Sequence, residues 1–193
     1  MAVKLLFFAG SARRGSFNKK LAKLGTKVAL AEGYEATFAD LADYTMPLYD
    51  GDIEAADGPP DNAYKLKELI EQHAGIMLAC PEYNAGITPL LKNSLDWVSR
   101  VREDDGMARA YKGRVFLLTS ASPGGTGGMR GLTTVRHVLQ IGLGALVLPD
   151  QVMVPRAASA FDEDGRLKDA DAQERLRLAI VRLGETAKAL YGT

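Results

Sequence analysis

The fold class this sequence predicts is an open α/β structure, a parallel five-stranded sheet with helices on both faces. Two observations carry it. Short continuous apolar runs such as VKLLFFA, GIMLAC and RVFLLTSA have the character of strands buried on both faces. Longer amphipathic stretches separate them, so that strand and helix alternate along the whole chain. A length of 193 residues suits one domain with a sizeable core, spanning 1–193.

The elements follow in order. Val3–Ala9 is the first strand. From Asn18 to about Ala31, Leu21, Leu24, Val28 and Ala29 recur at helical spacing. Tyr34–Leu41 reads as the second strand, and Met46–Asn62, rich in Pro, Gly and Asp, as a loop. Helix resumes over 62–73, and Gly75–Cys80 is the third strand. Thr88-Pro89 marks a helix start, because Thr caps well and Pro suits the first turn. That helix runs to about Val101, with Leu91, Leu95 and Val98 on its core stripe and Trp97 assigned to core or subunit contact. Arg114–Ala121 is the fourth strand, Met129–Ile141 a helix, Ala145–Pro149 the fifth strand and Ala170–Tyr191 a long amphipathic helix.

Composition narrows the function. Lys plus Arg total 24 and Asp plus Glu also total 24, which argues against a nucleic-acid-coating or anionic-membrane surface. The six-residue apolar run near the N-terminus is too short for a signal-peptide core, and no stretch approaches a membrane span. Cys80 is the sole cysteine, so no intrachain disulfide and no cysteine-based zinc site is expected. The setting expected is reducing and cytoplasmic. Cys80 reads as a buried inert thiol, and His73 and His137 as structural.

In open parallel sheets ligands sit outside the carboxyl ends of the strands. The loops after strands one, three and four are also the chemically unusual ones. The first, Gly10 to Asn18, feeds a helix whose N-terminal N–H groups attract an anion. Ser11 and Ser16 add hydroxyls, Asn18 an amide, and Arg13 or Arg14 a forked cation suited to phosphate. Gly10 and Gly15 have the spacing of a triphosphate loop, but Ser16 and Phe17 stand where Lys and the metal-binding hydroxyl would be. What survives is a site for one terminal phosphate without metal. The second loop, Pro81 to Ile87, offers backbone amides, Asn84 and the Tyr83 ring to a planar ligand. The third, Ser120 to Gly128, has four glycines in nine residues and suits the polar edge of a heterocycle.

Together these segments resemble the NADPH-dependent FMN reductase family, which includes quinone, chromate and azo-dye reductases. Gly10, Ser11, Arg13, Ser16, Asn18 and Leu21 match its G-S-x-R-x-x-S-x-N-x-x-L pattern. Pro81 to Trp97 match P-E-Y-N-x-x-x-x-P-x-L-K-N-x-x-D-W, and the glycine-rich stretch looks like S-x-x-G-G-x-x-G. The resemblance implies a flavodoxin-like three-layer sandwich with strand order 2-1-3-4-5. It implies that Ser11, Arg13, Ser16 and Asn18, with Phe17 beside them, grip the FMN phosphate. Pro81, Glu82, Tyr83 and Asn84 would line the isoalloxazine ring, with Ser120, Ser122, Pro123 and Gly124 near its other side. It further implies a homodimer or homotetramer.

The activity so implied is a ping-pong NAD(P)H oxidoreductase. NADPH or NADH reduces the flavin, and a quinone, another flavin, an azo compound or chromate then takes the electrons from the same face. No catalytic side chain and no metal is expected. One alternative is a flavodoxin-like electron carrier that binds FMN without oxidising NAD(P)H, although such carriers are typically acidic. A nucleotide-binding regulatory domain would need the missing loop lysine and an aspartate that VFLLTSA lacks.

Overall fold

The computed structural model describes residues 3–102 and 108–191. Five parallel strands, β1 (Lys4–Ala9), β2 (Glu35–Ala39), β3 (Gly75–Ala79), β4 (Val115–Ala121) and β5 (Leu146–Val154), form one sheet in the order β2-β1-β3-β4-β5. The strand order and the helices packed on both faces match the expected flavodoxin-like architecture. The order reverses beside β1, between β1 and β3, so a crevice opens there at the carboxyl edge.

The apolar runs are continuous because alternate residues serve two different cores. Leu5, Phe7, Met77, Val115 and Leu117 point to one face. There they meet Leu21, Leu24 and Val28 of α1 (Phe17–Ala31) and Leu176, Ile180 and Leu183 of α7 (Ala170–Tyr191). Leu6, Phe8, Ile76, Leu78, Phe116 and Leu118 point to the other. Their partners are Leu66 and Ile70 of α3 (Asp61–Glu71), Leu91 and Leu95 of α4 (Pro89–Arg100), and Leu132 and Val135 of α5 (Met129–His137). Each fully buried Leu or Phe contributes about 1.5–3 kcal/mol by leaving water, so register is tightly specified.

Three local readings need correction. The loop expected over Met46–Asn62 contains α2 (Gly51–Asp57), capped by Asp50, whose carboxylate accepts from the Asp52 N–H at 2.8 Å. None of its residues is buried, so it lacks the apolar stripe that marks a helix in sequence. The fifth strand runs past Pro149 to Val154. Proline is tolerated because β5 is an edge strand whose pairing register shifts between Phe116 and Leu118. The helix expected to reach Ile141 ends at His137 and gives way to a π-helical turn, Val138–Gly142. A four-residue helix, α6 (Ala157–Ala160), had no counterpart in the sequence reading.

Trp97 is core. It is fully buried, donates Nε1–H to the Pro47 carbonyl at 2.7 Å, and meets the Tyr49 ring edge-on. No helix among the described residues is long and apolar enough to cross a membrane.

Candidate functional site

The loop from Gly10 to Ser16 is held on three sides. The Gly10 N–H donates to the Ala79 carbonyl at 2.9 Å, and its own carbonyl accepts from Thr88 Oγ1 at 2.8 Å. A Cβ at Gly10 would stand 2.9 Å from Leu91 Cβ, so only glycine lets α4 pack against this turn. Lys19, nearly buried, donates to the Ala12 carbonyl at 3.0 Å and pairs with Asp40 Oδ2 at 2.7 Å. Burial works against the Asp40 charge, but the Lys19 and Ala42 hydrogen bonds outweigh it and hold the carboxyl below its usual range.

Ser16 caps α1, its Oγ accepting from the Lys19 N–H. The N–H groups of Phe17 and Asn18 keep no intrahelical partner, as in any first turn. No acidic residue occupies that turn, so the positive end of a 15-residue helix faces the site unopposed. The Arg13 guanidinium carbon lies 5.7 Å from the centre of the Phe17 ring, at the same opening.

Asn18 ties this loop to β4. Its Nδ2 donates to the Ala121 carbonyl at 2.8 Å and its Oδ1 accepts from the Ala121 N–H at 2.9 Å. The side-chain amide is therefore engaged by the sheet, which leaves the backbone N–H of this first-turn residue as its free donor. Beyond β3, Glu82 is held by the start of α5. Its Oε2 accepts from the Gly131 N–H at 3.0 Å and its Oε1 from Arg130 Nε at 3.0 Å. Burial opposes its charge, yet the Gly131 and Arg130 hydrogen bonds lower its pKa.

These elements close on one cavity of about 250 Å³ at the carboxyl edge of the sheet. Ser11, Arg13, Ser16, Phe17 and Asn18 line it from the first loop, and Pro81, Glu82 and Tyr83 from the second. Ser122 and Pro123 come from the third, together with Ala121, which lies within the expected Ser120 to Gly124 stretch.

A scan of family models matches that of the NADPH-dependent FMN reductases over residues 3–159, most of the chain. The chain belongs to the NADPH-dependent FMN reductase family. It is therefore an oxidoreductase that works with FMN and NAD(P)H. An NAD(P)H-dependent FMN reductase of Pseudomonas aeruginosa is 32% identical over 192 residues, covering 98% of both chains. A quinone reductase of Escherichia coli is 34% identical over 146 residues, or 76% of this chain and 73% of its own. Among solved structures, the flavoenzyme NAD(P)H:(acceptor) oxidoreductase of Paracoccus denitrificans superposes with a TM-score of 0.76. It is 23% identical, covers 98% of this chain and 99% of its own, and supports the fold.

Within this family's frame, three expected residues lie outside the cavity lining. Asn84 sits at the tip of a tight turn closed by Tyr83 and Gly86, with φ of 50°. Ser120 is fully buried and donates to the Gly127 carbonyl at 2.6 Å, pinning the glycine-rich loop. Gly124 donates its N–H to Ser122 Oγ at 3.2 Å. Cys80 is buried below the site, and burial pushes its thiol pKa far up, so it is inert as a nucleophile.

The donor set fits FMN. A phosphate monoester needs several N–H and O–H donors and a cation, and the first loop supplies them around a helix N-terminus. Arg13→Ala is expected to weaken FMN binding about tenfold or more while leaving riboflavin, which lacks the phosphate, nearly unchanged. Fluorescence titration of both flavins checks this, and equal losses would remove Arg13 from phosphate binding.

Proposed function

We propose that this protein binds FMN in the cavity between the three loops and transfers electrons from NAD(P)H to quinones or other small acceptors in a ping-pong cycle. The observation that carries the reading is convergence. A first loop built for one phosphate and two loops suited to a flat heterocycle line the same 250 Å³ cavity.

Ser11, Arg13, Ser16 and the first-turn N–H groups of α1 hold the phosphate. Pro81 and Tyr83 border the ring system on one side, with Ser122 and Pro123 on the other, and Asn84 and Gly124, outside the lining, shape the turns that carry them. Asn18, Glu82 and Ser120 act by positioning those loops. When bound, FMN supplies the hydride acceptor for NAD(P)H and the electron donor for the second substrate. The chain's part is to bind, orient and leave an approach open, and Tyr83 at the mouth is 56% exposed. Glu82, the one acidic residue in the lining, is already occupied by Arg130 and Gly131, which suits a site needing no side-chain acid or base. The names of the Escherichia coli and Pseudomonas relatives support quinones and flavins as acceptor classes. We also infer a homodimer or homotetramer, assembled through surfaces other than the buried Trp97.

The test is reconstitution with FMN, removal of free flavin and anaerobic addition of NADPH. Loss of the yellow absorbance is expected. Bound flavin that stays oxidised would make the protein a carrier, and absence of bound flavin would end both readings.

A further inference from the structure

A second cavity, of about 260 Å³, lies beyond the third loop, where β5 leaves the sheet. Its walls are apolar where Pro155, Ala160 and Leu167 line it, and three cations, Arg156, Lys168 and Arg175, stand around them. Several other surface arginines are matched with carboxylates: Arg100 with Glu54, Arg130 with Glu82, Arg177 with Glu174, Arg182 with Asp150. Among the described residues Arg156, Lys168 and Arg175 have no side-chain hydrogen bond or ion pair. The one acid in the lining, Asp169, is turned to another task, its Oδ1 accepting from the N–H groups of Asp171 and Ala172 at the start of α7. In a chain with balanced charge, three unmatched cations around one cavity make a local anion site.

The cavity is also coupled to the first one. The Arg156 N–H donates to the Gly124 carbonyl at 3.2 Å and the Ala157 N–H to the Ser122 carbonyl at 3.0 Å. Ser122 lines the first cavity, so a single loop separates the two. Arg156 itself adopts φ of 48°, a left-handed conformation disfavoured for a residue with a side chain. Such strain at a cavity rim is a feature of ligand-holding positions.

We propose that Arg156, Lys168 and Arg175 form a phosphate-monoester subsite that takes the adenosine 2′-phosphate of NADPH and selects NADPH over NADH. The inference rests on the oxidoreductase reading above. A space of 260 Å³ suits a fragment of a dinucleotide rather than the whole, with the purine against the apolar wall and the phosphate among the cations. Arginine forks and a lysine ammonium are the groups that bind such a phosphate.

Calorimetry on the FMN-loaded protein tests it with 2′,5′-ADP, ADP and inorganic phosphate. The 2′-phosphorylated nucleotide is expected to bind about tenfold or more tighter than ADP. Arg156→Gln combined with Arg175→Gln should erase that difference and leave ADP unchanged. In steady-state kinetics the same variant should raise the KM for NADPH about tenfold and leave that for NADH alone. Equal binding of the two nucleotides, equal effects on the two donors, or inorganic phosphate binding as tightly as 2′,5′-ADP would overturn the proposal. Failure of flavin reduction by either donor would instead defeat the oxidoreductase reading, and the calorimetry would still decide the subsite.

Discussion

Asn18→Ala is expected to cost about 2–4 kcal/mol of folding stability and to weaken FMN binding at the same time. The magnitude follows from what the substitution strands. Asn18 is buried and makes two hydrogen bonds to Ala121, joining residues 103 positions apart. Removing the amide leaves the Ala121 N–H and carbonyl unpaired at the end of a buried strand, and each such group costs about 1–3 kcal/mol. It also frees the first turn of α1 from β4, so the anion site and the third loop lose their common reference. Asn18→Asp is the sharper control, because a carboxylate accepts from the N–H but cannot donate to the carbonyl. Urea denaturation and FMN titration of both variants provide the measurement. A stability change below about 0.5 kcal/mol, within the range of ordinary surface substitutions, would show that this bridge is not what joins the loops.

Lys19→Met should cost about 2 kcal/mol. Breaking one side of a fully buried pair costs about 3–5 kcal/mol, and the Asp40 side chain, 28% exposed, recovers part of that through solvent. The change also removes the hydrogen bond to the Ala12 carbonyl, so the first loop loosens and FMN affinity falls with stability. The pH dependence has a definite sign. The folded pKa of Asp40 is lowered relative to the unfolded chain, so its pairing with Lys19 stabilises the protein above the unfolded pKa. That contribution disappears as pH falls below about 4, through the folded pKa. Stability profiles of the parent and Lys19→Met should therefore differ at neutral pH and converge in acid. Parallel profiles would show that the pair contributes nothing through ionisation.

Lys19 also shows where sequence reading reached its end. The sheet was readable because strands buried on two faces must be continuously apolar, and VKLLFFA and VFLLTSA are. The site's location followed from topology, since parallel strands bring the loops after β1, β3 and β4 to one edge. Nothing in the sequence, however, couples Lys19 to Asp40 at the end of β2, or pairs Glu82 with Arg130. Those choices depend on which side chains the packed helices bring together. The same limit explains Asn18: its residue type signalled a polar role, and only the approach of Ala121 shows that its amide serves the sheet. α2 escaped notice for a different reason, since it buries nothing and so carries no apolar period. Its Asp50 cap and the Gly58 that ends it at φ of 75° were present in the sequence all along.

The first loop, as proposed, is a metal-independent cradle for the single phosphate of FMN. Its most direct test is titration of FMN and riboflavin into flavin-free protein, with and without a chelator of divalent cations. FMN is expected to bind about a hundredfold tighter than riboflavin, from several charge-assisted and backbone hydrogen bonds to one phosphate, with no effect of the chelator. Equal affinity for the two flavins, or FMN binding that the chelator abolishes, would contradict it.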